Sequence, residues 1–147
     1  MVETSKWIEI PRTFFAGGRT VPHLVIEERV SDLREVVTSS GATWAAVDLS
    51  GATDVSEAID SIKGVLSFPE WCASSWDSID DAFEEIRRRW TFPLMIAVDG
   101  LRPMVERQPH LGLNIVIHLN ALSQAFSVAG DQLTVVYVAD RWIEATD

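Results

Sequence analysis

A chain of 147 residues with 22 acidic and 12 basic side chains, formal charge -10, is long enough for one hydrophobic core and short for two. Its 47% hydrophobic and 23% charged residues describe a folded domain and not a disordered acidic tail, and the net charge opposes nucleic-acid binding. Cys72, the one cysteine, excludes an internal disulfide and suits a reducing compartment such as the cytoplasm. The start MVETSKWIEIPRTFF lacks the pattern of a signal peptide, and no later window reads as a membrane-spanning helix.

In chain order, residues 1–41 mix short apolar pieces with the turn residues Pro11, Gly17, Gly18 and Pro22, and HLVIEERV reads equally as a strand or the start of a short helix. Ser31 or Asp32 is placed to cap a brief helix in which Leu33, Val36 and Val37 share a face, and SSG at 39–41 closes it. This sets a boundary between an N-terminal extension, 1–41, and a domain over 42–147. The extension could cover a sheet edge, widen an interface or make a homodimer contact, and the sequence does not choose.

TWAAVDLS, 43–50, suits a buried strand. The helix after it is capped by Asp54 with Glu57 three residues on, carries Val55, Ala58, Ile59, Ile62 and Leu66 on one face, and stops between Gly64 and Pro69. Beyond the loop EWCAS, one helix is predicted from the stripe Trp76, Ile79, Phe83, Ile86 and Trp90, with Glu84–Arg88 and Glu85–Arg89 pairs near its end. FPLMIAVD, 92–99, is a second strand, and a stretch with two prolines and Gly112 follows. A helix from about 116 to 129 and a last strand, LTVVYVA at 133–139, complete the chain. The order from residue 43 is that of an α/β layer fold with a three-stranded parallel sheet and helical crossovers.

No enzyme pattern survives inspection. His23, His110 and His118 form no HExxH motif, Cys72 has no local histidine, and the glycines fit neither a phosphate loop nor a dinucleotide fingerprint. Neither a metal nor a cofactor is expected, and Asp77 with Asp81, lacking a second cluster of catalytic residues, is better explained by a solvated helix face than by acid–base catalysis.

The unusual stretch is FPEWCASSWDSIDD, 68–81. Residues 54–85 hold nine carboxylates against Lys63 alone. Asp77, Asp81 and Glu84 align along one side of the predicted helix, with Asp80 and Glu85 flanking them. Trp76 belongs to the core stripe, and Asp77 could instead close a capping box begun by Ser74. Trp71, off any periodic face, is either a lid on the core or a contact residue. Taken together, the loop and the acidic face form a plausible patch for a basic protein.

On the residues AAVDLS at 45–50, FPEW at 68–71, WD at 76–77 and Asp81, and on the order of elements around them, the chain resembles barstar and its relatives, small intracellular inhibitors of secreted microbial ribonucleases, well over 43–99 and loosely over 116–139 but not over 1–41. The resemblance implies a non-catalytic α/β domain that plugs the active site of a basic ribonuclease. By position it makes Trp71 the loop aromatic, Asp77 the first inhibitory aspartate and Asp81 the one that occupies a substrate phosphate's place. Asp80 stands where the family has an aromatic, Ala73 where it has a glycine, and Gln124 and Ala125 where it has a further acidic contact. The candidate contacts are therefore Trp71, Asp77, Asp80 and Asp81, with Ser75 and Glu84 beside them. The alternative is an interaction module of the same fold whose target is not a nuclease.

Overall fold

A computed structural model describes residues 7–16 and 21–142. The centre of the fold is a sheet in the order β1-β2-β5-β4-β3, where β1 is Phe15–Ala16, β2 His23–Ile26, β3 Thr43–Asp48, β4 Leu94–Asp99 and β5 Leu133–Ala139. β3, β4 and β5 are the three parallel strands expected from the sequence, Ala45 opposite Ile96 and Ile96 opposite Val135. The sheet is nevertheless five-stranded and mixed. β2 joins β5 in parallel, with Val25 opposite Val138, and β1 pairs antiparallel with β2. Both additional strands come from residues 1–41, so this segment covers the free edge of β5. Its attachment is reinforced at both ends of β5: Ile8 exchanges two hydrogen bonds with the Gln132 side chain (2.7 and 3.0 Å), and Trp142 Nε1–H donates to the Val25 carbonyl (2.9 Å).

The twofold side-chain alternation of strands divides the core between two faces. Leu94, Ile96, Val98, Leu133, Val135 and Tyr137 point to one layer, packed against α2 (Val55–Lys63), α3 (Trp76–Asp81), α4 (Phe83–Arg89), α5 (Leu101–Arg107) and α6 (Pro109–Val128). Met95, Ala97, Val136 and Val138 point to the other, where Leu33 and Val37 of α1 (Val30–Ser39) cover them. Because β4 is covered on both sides, its residues 94–98 are all buried, which is why it reads as an unbroken apolar run.

Several local expectations are corrected. α1 begins at Val30 without a side-chain cap, placing Ser31 and Asp32 inside its first turn. α5 occupies part of the proline-containing stretch that gave no helical signal: Pro103 sits in its first turn, where an amide hydrogen has no helical acceptor. α6 starts at Pro109, not near 116, for the same reason. By length and composition α6 could also cross a membrane, with a window of mean hydropathy 1.3, contrary to the expectation. Its inner face, Ile115, Leu119, Leu122 and Phe126, is buried within the domain's own core.

Candidate partner-binding site

The loop before α3 is fixed by bonds to its backbone. Lys63 Nζ donates to the Cys72 carbonyl, Cys72 N–H to the Pro69 carbonyl (3.0 Å), Arg89 to Ser67 Oγ and the Phe68 carbonyl (3.2 and 3.3 Å), and Trp90 Nε1–H to the Ser67 carbonyl (2.8 Å). Cys72 is buried and its thiol pushed up by desolvation, so it packs as a small apolar group and is a poor nucleophile. A loop held this way loses little further freedom on binding. Trp71 projects from it with 58% of its surface exposed. It is thus a surface ring and not a lid on the core, and its Nε1–H reaches Glu85 Oε1 at 3.4 Å.

The predicted single helix is two short ones that meet at Ala82 (φ -89°, ψ 3°). Ser75 caps α3, its Oγ accepting from Ser78 N–H at 3.2 Å, while Ser74 donates to Asp60. With the cap one residue later than the proposed capping box requires, Asp77 has no capping bond to make. Ile79 and Ile86 anchor the inner face. Below α4, Phe126 meets Phe83 at 4.6 Å and Trp90 at 5.5 Å between ring centroids. Trp76, expected in the core, is half-buried: it stacks on His118 (4.9 Å, 1° between planes) and donates to Asn114 Oδ1 at 2.8 Å. His118 Nδ1–H in turn donates to the Asn114 carbonyl at 2.8 Å, which fixes the ring on α6.

On the outer face, Asp77, Asp80 and Asp81 are exposed, and none has an ion pair or side-chain hydrogen bond among the described residues. The two glutamates behind them are compensated. Glu85 pairs with Arg89 at 2.9 Å as expected, whereas Glu84 pairs with Arg87 at 3.2 Å and not with Arg88. Arg87 also bonds Asp131 (2.8 Å) and the Ala129 carbonyl (3.1 Å), tying α4 to the end of α6, and these bonds hold its guanidinium pKa above the ordinary value. At helical spacing the three free carboxylates form a strip, with the Trp71 loop on the Glu85 side and Trp76 on the Asp80 side.

Residues 42–138 match the family described as Barstar (barnase inhibitor). The chain belongs to the barstar family. Among curated proteins no relative matches. Barstar-family proteins generally act as ribonuclease-binding inhibitors and are non-catalytic, so this chain is not an enzyme. The family match begins at Ala42, so β1, β2 and α1 form an additional N-terminal region that shares the barstar sheet. Of the six residues singled out from the sequence, Trp71, Asp77, Asp80 and Asp81 lie exposed on the loop and α3. Ser75 is occupied as a helix cap and Glu84 as an ion-pair partner.

Proposed function

We propose that this barstar-family domain inhibits a basic ribonuclease by laying α3 and the loop before it across the enzyme's active-site cleft. The observation that carries the reading is the strip Asp77, Asp80 and Asp81: three exposed carboxylates without a cation partner among the described residues, beside an exposed tryptophan on a pinned loop. Uncompensated like charges within one turn of each other oppose folding, so the strip gains nothing for the isolated domain. Against a cleft built to hold RNA phosphates the same charges are complementary. They accelerate encounter, and each buried carboxylate disfavours partners that cannot pair it. Asp81 takes the central phosphate position, Asp77 flanks it, and Trp71 packs against the rim.

A cytoplasmic place of action fits a chain whose one cysteine forms no internal disulfide. The test is calorimetric titration of the full chain against a panel of basic secreted ribonucleases that includes barnase. A one-to-one complex weakened by salt, and weakened further by Asp81→Ala without loss of the folded state, is the expected result. Binding that survives in both Asp77→Ala and Asp81→Ala rules out this interface. Specific partners that all lack nuclease activity point to an interaction module instead.

A further inference from the structure

Where α3 and α4 lie against α6 they leave an open groove of about 590 Å³, lined by Trp76, Phe83, Ala121, Leu122, Ala125 and Val128. The Trp76–His118 stack lies in its wall, and Arg87 ties α4 to Asp131 and to the Ala129 carbonyl beside it. The small side chains of Ala121 and Ala125 create the space. The groove also continues onto an apolar stripe, since α6 carries no Asp, Glu, Lys or Arg and exposes Leu113 (58%), Ile117 (55%) and Val128 (90%). An uncharged helix face of this kind on a chain of charge -10 marks an interaction surface.

Charge decides what fits. Asp80 lines the groove itself, and Asp77 and Asp81 follow on the same helix, all without an ion pair among the described residues. A second copy docked here would set its own acidic strip near this one, and an anionic lipid surface would be repelled in the same way. We infer that the groove seats a large apolar side chain from a cationic amphipathic segment, one that presents arginine or lysine to the strip and a leucine-like or aromatic residue to the groove. This deepens the inhibitor reading by stating the partner's chemistry: beside the basic cleft there must be an apolar protrusion. The acids then supply speed and orientation, and the groove supplies a desolvated anchor.

The test uses two labelled synthetic peptides of equal length and charge, one with leucine at i, i+3, i+4 and i+7 opposite a lysine and arginine face, the other with those leucines replaced by serine. Fluorescence anisotropy should show the leucine peptide bound about tenfold or more tighter, the scale of one buried leucine. Ala125→Gln, which fills the groove, should erase that difference and leave the serine peptide unchanged, as should Val128→Ser at a site too exposed to unfold the domain. Asp81→Asn should weaken both peptides. Equal binding of the two peptides, no binding of either, or an unchanged preference in both groove variants would overturn the inference, as would concentration-dependent dimerisation of the chain through this face. The two readings separate cleanly. Barnase binding sensitive to Asp81→Ala but not to Ala125→Gln removes the groove and keeps the inhibitor, whereas peptide discrimination with no ribonuclease bound does the reverse.

Discussion

Asp81→Asn should stabilise the isolated domain and weaken its complex, and the sizes of the two effects follow from where the side chain sits. Asp81 is the last residue of α3, exposed, four residues after Asp77 and three before Glu84, with no ion-pair partner among the described residues. Asp77, one turn back on the same helix, opposes it by ~0.2–0.5 kcal/mol, Glu84 beyond the break at Ala82 adds less, and the unfavourable carboxylate at a helix C-terminus adds about 0.3 kcal/mol at the low end, since α4 continues the path. Arg87 already offsets part of the Glu84 charge, so the net gain is about 0.5–1 kcal/mol at low ionic strength, or roughly 1–4 °C in Tm for a chain of this size. Raising the salt should shrink it. If Asp81 is the central contact proposed above, the same change should cost the complex about 2 kcal/mol or more, a loss of roughly 30-fold, on a hot-spot scale that draws on the barnase–barstar pair itself. Denaturant melts at two ionic strengths and titration calorimetry measure both halves. A destabilised variant would mean that the carboxylate has structural work and is not an uncompensated charge; a stabilised variant with unchanged affinity shows the strip is not the interface.

Ile86→Ala, at the centre of the inner face of α4, should cost about 2–5 kcal/mol of stability in denaturant melts. His23 stacks on Phe15 with a buried Nδ1 that has no hydrogen-bond partner among the described residues, and burial lowers its pKa. The folded state therefore favours the neutral ring, stability is full above 6.5 and falls as the pH drops below it, and His23→Leu should flatten that slope. Asp99 is shifted the other way, by burial first and then by Asp48 and Glu27. Its contribution is present at low pH and lost as the pH rises through its raised pKa, so Asp99→Asn should raise Tm near neutral pH, with the gain vanishing in acid.

What the sequence disclosed depended on whether one element carried the signal. β4 and β5 were legible because burial on both faces leaves a plain apolar run, and the acidic strip because one helix repeats every three to four residues. α5 was hidden by Pro103, which reads as a breaker until it is placed in a first turn. The cap was displaced by one residue because Ser74 and Ser75 are chemically equivalent, and only the fold sends Ser74 to Asp60. β2 was ambiguous because HLVIEERV is a strand that turns directly into a 3-10 turn and then a helix. The groove was invisible: its walls, Trp76 and Phe83 on one side and Ala121 and Ala125 on the other, are far apart in the chain, and two alanines signal nothing until something stands opposite them.

The proposed function rests on block of a basic ribonuclease through the acidic strip. Its most direct test is RNA cleavage by barnase, and by other basic secreted ribonucleases, titrated with the full chain. At least one enzyme should lose its activity at one equivalent, and the double variant Asp77→Ala, Asp81→Ala should restore cleavage while remaining folded by circular dichroism. Undiminished cleavage at saturating chain across the panel, or inhibition untouched in the double variant, would contradict it.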